Sequence, residues 1–339
     1  MKKRVSITDV AALADVSITT VSRVINDTGY PVSQEARDRI LAAVEQLNYT
    51  PSFAAQRLRN DFNPVIGLIV RDIANSYFGE IAKGATERAM ELGYLSFVCN
   101  TGRDAANEME FHELLWKNRV RGILLIGGGI DTPEYQALMA KQAERCKKFG
   151  LRIVANAPQG VDLPIVAVDI AAISAQITGY LLERGHRSIA LITGEQGVMT
   201  SKLHLQGYIK AMTAHGAPIH PELIKLEAFT ERCGYTGCTE LLRHNPRPTA
   251  ICCGNDPIAV GVLHALHEAG LEVPRDVSLI SIGDTPMAGH LRPALTSVRV
   301  PRYQLGARAV ELILQDGLPS AYTEYLPTEF IERESVRRL

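Results

Sequence analysis

The sequence predicts an all-α head followed by an α/β core of two doubly wound subdomains with parallel sheets. Residues 6–26 carry two short helical patterns. From residue 65 onward, short apolar runs alternate with helical segments that stop at glycines. Continuous apolar strands separated by helices are typical of parallel sheets that are covered on both faces. The chain has 339 residues, which is enough for two or three domains with cores of their own.

The composition indicates a globular protein without a dominant charge. Hydrophobic residues make up 46% of the chain, charged residues make up 22%, and the formal net charge is −1. Residues 1–60 contain eight Lys and Arg residues against six Asp and Glu residues, so the head has a small positive excess. We therefore expect strong binding to a polyanion to require more than one copy of the head.

The sequence carries no recognisable targeting, membrane or metal motif. Its first ten residues include basic side chains but no apolar segment of the signal-peptide type, and no stretch has the length of a transmembrane helix. We therefore expect a cytoplasmic protein with no membrane partner. The six cysteines form no CxxC pair and no metal-type group with histidine, so we expect reduced, mostly buried thiols and neither a cofactor nor a metal site.

The head has start signals for three helices. The sequence SITD at residues 6–9 matches the start of a capped helix, which should begin near Thr8. Ser17 is placed to cap a second helix that runs to about Ile25. Ser33 is expected to cap a third helix, whose buried stripe is Ala36, Ile40, Val44 and Leu47.

The second helix has a polar outer face that suits DNA bases. Its apolar residues Val21, Val24 and Ile25 share one stripe. The side chains expected to point away from the core are Ile18, Thr19, Thr20, Ser22, Arg23 and Asn26. Arginine pairs with guanine through two hydrogen bonds and an apolar group meets the thymine methyl, so this face suits the major groove. The alternative is a short helical hairpin with no role at nucleic acid.

Residues 6–26, together with the sequence YTPS at residues 49–52, resemble the lactose-repressor (LacI/GalR) family of bacterial transcription regulators. The resemblance continues through essentially the whole chain. It implies a helix-turn-helix DNA-binding domain at residues 1–50 and a hinge helix at residues 51–60. It also implies that residues 61–339 form an effector-binding and dimerisation core of the periplasmic-binding-protein type.

The resemblance also places the two subdomains of the core. The N-terminal subdomain would span about residues 61–165 and 296–325, and the C-terminal subdomain about residues 166–295 and the C-terminal segment. The chain would cross between them near residues 165–169 and 293–300. The apolar runs predict strands at residues 65–70, 95–99, 122–126, 152–156, 188–193, 250–253 and 277–282.

The head and the hinge supply the predicted DNA contacts. Ile18, Thr19 and Arg23 are expected to contact bases, and Thr8, Thr20, Ser22 and Asn26 to contact phosphates. By the resemblance, Leu58 is the hinge leucine that is pressed between base pairs in the minor groove. Residue chemistry alone favours an ordinary linker there, and the resemblance reverses that balance. Two heads on a near-palindromic double-stranded operator imply a homodimer or a tetramer.

The small-molecule site is expected where strands end, because ligands of open α/β sheets bind outside the carboxyl ends of the strands. Asn75 follows the first core strand. By the resemblance, the other positions that line the effector cleft are Tyr77, Phe78, Asn156, Phe229, Asn255 and Asp284. Acids, amides and aromatic rings suit a polyhydroxylated ligand. By the resemblance, a sugar or sugar derivative is the first candidate for the effector, and a purine or nucleoside is the second.

One position departs from the family pattern. Where the family usually has an arginine that grips the ligand, this chain has His204. A permanently charged guanidinium group is thus replaced by an imidazole ring, a type of group that titrates near neutral pH. Either His204 faces the cleft, which would indicate a different effector or pH-dependent binding, or Lys202 or another cation takes over and His204 points into solvent.

Two other functional classes share parts of this pattern. An enzyme is disfavoured because the glycines at residues 127–129 lack the frame of a phosphate-binding loop, and the sequence has no nucleophile elbow. A transport binding protein would share the core, but the missing signal peptide and the head argue against it. The sequence therefore predicts a non-enzymatic transcription regulator, expected to be a repressor, whose operator affinity a small effector controls.

Overall fold

The computed structural model describes residues 5–25, 29–49, 63–244 and 247–339 of the chain. It consists of two compact units, Met1–Asn63 and Pro64–Leu339. In its described residues the smaller unit, the head, contains the helices α1 (Ile7–Ala14), α2 (Ile18–Ile25) and α3 (Gln34–Gln46). Side chains of all three helices pack into a small apolar core that includes Val10, Val21 and Ile40.

The predicted caps begin all three helices of the head. The backbone N–H of Ser6 donates to the Asp9 carboxylate at 2.8 Å, and the Ser6 hydroxyl donates to the same oxygen at 2.7 Å. Ser17 Oγ accepts from a backbone N–H of α2 at 3.1 Å, and Ser33 Oγ accepts from one of α3 at 3.3 Å. In α2 and α3 the serine oxygen satisfies an N–H group that the first turn of a helix leaves without a partner, whereas in α1 the Asp9 carboxylate satisfies the N–H of Ser6. The three predicted helix starts are confirmed.

The larger unit, the core, alternates strands and helices. In chain order its elements are β1 (Asn63–Val70), α4 (Ser76–Glu91), β2 (Leu95–Asn100), α5 (Ala105–Lys117), β3 (Val120–Ile126), α6 (Pro133–Lys148), β4 (Arg152–Ala155), β5 (Ile165–Ala167), α7 (Ile170–Glu183), β6 (Ile189–Gly194), α8 (Met199–Ala214), β7 (Ile224–Glu227), α9 (Glu231–Leu241), β8 (Ala250–Cys253), α10 (Asp256–Glu268), β9 (Ser278–Gly283), α11 (Pro286–His290), β10 (Thr296–Arg299), α12 (Arg302–Leu314), β11 (Thr323–Tyr325) and β12 (Glu329–Ile331). A turn of 3₁₀ helix lies at Pro221–Leu223. In the described part of the chain, no helix is both long enough and apolar enough to cross a membrane.

Within the described residues the strands form two six-stranded sheets. The strand order is β11-β5-β4-β3-β1-β2 in the N-terminal subdomain and β12-β10-β9-β8-β6-β7 in the C-terminal subdomain. Neighbouring strands run parallel in β1–β2, β3–β4, β4–β5, β6–β8 and β8–β9, whereas β10–β12 is antiparallel. All seven predicted strands are present, and the predicted fold of two parallel sheets is confirmed.

The chain crosses between the two sheets within the predicted ranges, residues 165–169 and 293–300, but the bounds of the subdomains differ from the prediction by a few residues. Strand β5 still belongs to the N-terminal sheet, because it pairs with β4 and β11. Strand β10 pairs with β9 and β12, so residues 296–299 belong to the C-terminal subdomain and not to the N-terminal one as predicted. The crossings therefore follow residues 167 and 299, and a further one lies between β11 and β12.

Helices from distant parts of the chain close the N-terminal subdomain. Helix α12, which follows the second crossing, packs along α4. A Cβ atom at Gly306 would lie 1.9 Å from the backbone oxygen of Ile81, so only glycine permits this approach. The apolar core continues through the crossings, where Val168 and Val300 are buried. The crossing segments thus form part of the packed core between the subdomains.

Candidate functional site

The outer face of α2 is exposed as the sequence predicted. Ile18 is 47% exposed, although it is a large apolar residue at the start of a helix. Thr19, Arg23 and, on α1, Thr8 are exposed as well. An exposed isoleucine beside hydroxyl and guanidinium groups matches the mixture of groups that reads base edges.

Ser22 is an exception to the predicted outward face. It is only 4% exposed, so the prediction that it points away from the core is wrong. On a helix it lies about 60° round from Ile25, which places its small side chain on the covered flank of the apolar stripe. The predicted contacts Asn26 and Leu58 lie outside the described residues.

The structure adds Tyr30 to the face that carries Arg23. The Arg23 guanidinium lies 4.9 Å from the centre of the Tyr30 ring, and Tyr30 is itself exposed. Stacking on an aromatic face restricts the arginine without using its N–H donors. Thr20 is partly covered, and its hydroxyl lies 2.8 Å from that of Ser17. No periodic pattern points to Tyr30, because it lies in the loop before α3.

In the core, the carboxyl ends of both sheets open into one cleft between the subdomains. Residues that directly follow five strands line this central cleft: Gly127 after β3, Asn156 after β4, Val168 after β5, Gly254 after β8 and Val300 after β10. This is the place where parallel α/β sheets bind ligands. Seven of the eight residues predicted for the cleft line it, namely Asn75, Tyr77, Phe78, Asn156, His204, Phe229 and Asn255.

Aromatic rings from both subdomains face the central cleft. Tyr77 and Phe78 stand edge to face with ring centres 5.5 Å apart. From the opposite subdomain, the Phe229 ring lies against Gly194, where a Cβ atom would come within 2.0 Å of the ring. Burial raises the pKa of the Tyr77 hydroxyl to about 12, and nearby Arg302 partly opposes this. Tyr77 is therefore a neutral phenol at neutral pH.

Local backbone contacts use most of the amide groups in the cleft. Asn75 Oδ1 accepts from the Tyr77 N–H at 2.9 Å, which caps α4. Asn255 Oδ1 accepts from a backbone N–H of α10 at 2.9 Å, and its Nδ2 donates to the Phe229 carbonyl at 3.3 Å. Asn156 Nδ2 donates to two backbone carbonyls at 3.3 and 3.4 Å, whereas its Oδ1 has no hydrogen-bond partner among the described residues.

His204 lies in the wall of the central cleft and does not point into solvent. It is 4% exposed, its ring centre lies 5.9 Å from that of Phe229, and Nδ1 has no hydrogen-bond partner in the described part of the chain. Burial lowers the pKa of the imidazole to about 4, so the ring is neutral at neutral pH. Lys202 does not replace the family's arginine, because its ammonium pairs with Asp131 at 3.0 Å and does not line the cleft.

Asp284 does not line the central cleft, so that prediction is wrong. Its carboxylate lies 2.8 Å from Arg299 Nε and 2.7 Å from Arg333 Nη2. Asp284 instead lines a neighbouring cavity together with Glu80 and Arg299. Two arginines supplied by β10 and by the segment after β12 draw the carboxylate away from the cleft, and strand-end position alone does not reveal such partners.

A buried polar network supports one wall of the cleft. The Arg71 guanidinium pairs with Glu108 at 2.6 Å and donates to the Tyr135 hydroxyl at 2.8 Å. That hydroxyl donates to Gln159 Oε1 at 2.9 Å, and Gln159 Nε2 donates to the Gly127 carbonyl at 2.7 Å. The network fixes the loop that follows β3. Sequence reasoning missed it because its members come from separate segments with no common spacing.

Beside the central cleft, the two subdomains touch through a short backbone contact. Residues 129–131 of the N-terminal subdomain meet residues 197–199 of the C-terminal one, and we call this contact the clasp. Two backbone hydrogen bonds of 2.7 and 3.0 Å hold it. Ile130 and Val198 lie opposite each other in it as an isolated antiparallel bridge. The clasp links the subdomains at a place separate from the crossing segments.

The two units define the class of protein. A helix-turn-helix head and a core with a ligand cleft between two parallel-sheet subdomains are the parts of a DNA-binding regulator. Residues 6–52 match the model for bacterial regulatory proteins of the lacI family, and residues 178–336 match that for the periplasmic binding protein-like domain. The chain belongs to the LacI family of bacterial regulatory proteins.

Individual relatives agree with this assignment. The HTH-type transcriptional repressor PurR of Pasteurella multocida (strain Pm70) is 34% identical over 310 residues, which are 91% of this chain and 91% of the relative. The transcriptional regulator CelR, solved in complex with cellobiose, has a TM-score of 0.73 and 28% identity, and the match covers 98% of this chain and all of CelR.

A third comparison concerns the fold. The lac repressor dimer bound to operator and the anti-inducer ONPF has a TM-score of 0.87 at 24% identity, with 99% of this chain and all of that chain covered. The family and its relatives are transcriptional regulators and not enzymes. The protein is therefore a DNA-binding transcriptional repressor of the LacI family, as the resemblance implied.

Proposed function

We propose that this repressor binds a near-palindromic operator with two heads, and that a small effector in the central cleft controls its operator affinity. The observation that carries the proposal is the cleft itself, which is lined from both subdomains at the carboxyl ends of both sheets. A ligand that touches both walls favours one arrangement of the subdomains over another. It can shift operator affinity only to the extent of that preference.

In the proposed complex, α2 reads the major groove. Ile18, Thr19 and Arg23 contact bases, because they are exposed and carry the groups that recognise base edges. Thr8 and Thr20 contact phosphates, and Ser22 is no longer proposed because it is buried. Asn26 as a phosphate contact and Leu58 as the minor-groove wedge rest on the sequence resemblance.

We propose a homodimer that forms through β2. This strand lies at the edge of the N-terminal sheet, and its Leu95, Phe97 and Val98 side chains are 45–60% exposed. An open sheet edge with large apolar side chains is a surface that a second chain covers. The lac repressor that shares this fold is a dimer on its operator. A dimer also supplies the second head that the weakly basic head needs.

The effector belongs to one of two candidate classes. A sugar or sugar derivative is supported by CelR, which is solved with cellobiose. A purine or nucleoside is supported by the three aromatic side chains of the cleft, which offer ring faces for stacking.

The test couples ligand binding to DNA binding in the full chain. Selection from random DNA first gives the operator, and a thermal-shift screen of sugars, sugar acids, sugar phosphates and purines gives the ligand. We expect a compound that raises the melting temperature also to change the operator Kd, measured by fluorescence anisotropy at fixed salt. A compound that loses binding in the Phe229→Ala variant, and yet leaves the operator Kd of the unmodified chain unchanged, would contradict effector control.

A further inference from the structure

We infer that the ligand of the central cleft is an uncharged, flat nitrogen heterocycle of nucleobase type, and not a sugar, a sugar acid, a sugar phosphate or a nucleotide. The inference rests on the proposed function of the cleft as the effector site. Among the described residues, three properties of the cleft support it: a lining without charged side chains, aromatic walls and one amide oxygen without a hydrogen-bond partner.

The first property concerns charge. In the described part of the chain no Asp, Glu, Lys or Arg side chain lines the central cleft. The family's arginine is replaced by His204, Lys202 pairs with Asp131, and the Asp284 carboxylate pairs with two arginines. A carboxylate or phosphate that entered the cleft would lose its hydration without gaining an ionic partner, which costs several kcal/mol. The cleft therefore selects against anions.

A neighbouring outer pocket contains charges, but they are balanced. It shares Phe78 and Phe229 with the central cleft and adds Arg71, Arg103 and Glu195. Arg71 is already paired with Glu108 at 2.6 Å. The Arg103 guanidinium lies 5.9 Å from the Phe78 ring centre, and Glu195 supplies a negative charge in the same pocket. The outer pocket thus has no clear excess of positive charge with which to hold a phosphate attached to a ring in the cleft.

The second property separates a flat ring from a sugar. Tyr77, Phe78 and Phe229 line the cleft with Ile81, Ile170 and Ile282, so most of its wall is aromatic or aliphatic. The side-chain oxygens of Asn75 and Asn255 already accept hydrogen bonds as helix caps. A sugar needs a partner for each hydroxyl that it buries, and these walls leave few. A planar heterocycle buries two apolar faces and needs partners only along its edge.

The third property indicates which hydrogen-bonding groups the edge of the ligand carries. Asn156 Nδ2 donates to the carbonyls of Val166 and Leu305, which fixes the orientation of the amide and leaves Oδ1 as an acceptor. A ring N–H or exocyclic amino group of the ligand donates to this oxygen. The His204 imidazole, which burial keeps neutral, offers one further donor or acceptor. Neutral partners of this kind recognise an amide-like heterocycle edge.

The experiment compares uncharged and charged forms of the same ring with the full-length chain. Isothermal titration calorimetry is performed with adenine, guanine, hypoxanthine, cytosine and uracil, with their 5′-monophosphates, and with glucose, cellobiose and glucose 6-phosphate. We expect at least one base to bind, with its nucleotide weaker by roughly 100-fold or more, because the cleft cannot compensate a buried phosphate. Absence of binding by every base, or tighter binding of a nucleotide or sugar, overturns the inference.

Two variants assign the binding to the cleft. Asn156→Leu removes the acceptor at similar size and should weaken the base by roughly tenfold or more. His204→Arg supplies the missing cation and should shift the nucleotide-to-base affinity ratio at least roughly tenfold toward the nucleotide. Gln206→Leu, an exposed position on the same helix as His204, is the control and should leave both affinities unchanged. Circular dichroism verifies that each variant is folded.

The same titrations separate this inference from effector control. If a base binds through Asn156 and the operator Kd does not respond, effector control fails and the ligand class stands. If a sugar phosphate or nucleotide binds in the cleft and shifts the operator Kd, effector control stands and the ligand class is overturned. A base that binds equally well to the unmodified chain and to Asn156→Leu contradicts the proposed hydrogen bond between the edge of the ligand and Asn156 Oδ1.

Discussion

Single residues of the head determine how it reads DNA, and Arg23 is the one with the most specific geometry. Its guanidinium stacks on the Tyr30 ring, and this stacking restricts the planar guanidinium on the exposed face of α2. This stacking leaves its N–H donors free for a base. Thr20, by contrast, already has a hydroxyl partner in Ser17. The sequence places both side chains on the same face of α2. The structure shows that they differ in whether their polar groups already have a partner within the head.

Arg23→Ala should cost about 1–3 kcal/mol in operator binding and relax the preference at one base pair of each half-site. The measurement is operator Kd at constant salt, with every base pair of the site varied in turn. Arg39→Ala removes the same charge from an exposed position of α3 and serves as the control. It should weaken all sequences about equally if it has any effect. An unchanged preference in Arg23→Ala would exclude the proposed readout.

Two buried histidines make the stability of the core depend on pH. Burial lowers the pKa of His204 to about 4, and burial together with Arg71 does the same for His112. Between about pH 4 and 6.5 the unfolded chain therefore binds more protons than the folded one at these sites. Stability rises with pH through this window and is lost on acidification, by up to about 3 kcal/mol for each histidine.

Urea unfolding of the full chain at pH 7.5 and pH 5.0 measures this dependence. His112→Leu should remove part of the difference between the two pH values, because neither ring nitrogen of His112 has a partner among the described residues. His267→Leu changes an exposed histidine on α10 and should leave the difference as it is. A pH dependence in His112→Leu as large as that of the unmodified chain would refute the assignment.

At the level of elements, helices followed from local rules and long strands followed from composition. The starts of the helices in the head could be predicted from Ser6, Ser17 and Ser33, because a cap is a contact between near neighbours in the chain. Strands β5 and β10, which span three and four residues, were not among the predicted strands. Each pairs with a strand later in the chain, β11 or β12, and local composition does not reveal such a partner. The subdomain boundary was misplaced for this reason.

Strand β2 is the element on which the proposed homodimer depends. Phe97→Lys places a charge on the exposed apolar edge and should dissociate the dimer, because a buried unpaired ammonium is costly in an interface. Analytical ultracentrifugation measures the mass, and operator binding should weaken with it. Tyr325→Lys adds the same charge at an exposed position of β11, at the opposite edge of the sheet, and is the matched control. A dimer that persists in Phe97→Lys would place the interface elsewhere.

At the level of the whole core, the clasp and the crossing segments both connect the two subdomains. The bridge pair Ile130 and Val198 is flanked by hydrogen bonds and makes none directly across itself. In antiparallel pairs this type of site brings Cα atoms to about 4.5 Å, a spacing that a disulfide spans. The clasp therefore offers a direct way to fix the arrangement of the subdomains.

Ile130→Cys combined with Val198→Cys should form a disulfide under mild oxidation and lock the core in this arrangement. Mass spectrometry after thiol alkylation measures the bond, and operator Kd measures the effect. We expect the oxidised variant to lose its response to the cleft ligand, and the reduced variant to regain it. Ile130→Cys combined with Gln196→Cys shifts the second thiol out of register and should not cross-link. Failure of the first pair to cross-link would contradict the clasp geometry.

The head and the two-sheet core could be predicted from the sequence, because both depend on spacing along the chain. Most residues of the cleft were predicted from the resemblance to the LacI family, and the strand-end rule gave only their general location. The partners of individual side chains, by contrast, became known from the three-dimensional structure alone. In the structure Ser22 is buried, Asp284 pairs with two arginines, and His204 lies in the cleft wall as a neutral ring. Pairing and burial depend on residues brought together from distant segments, and local sequence carries no record of those partners.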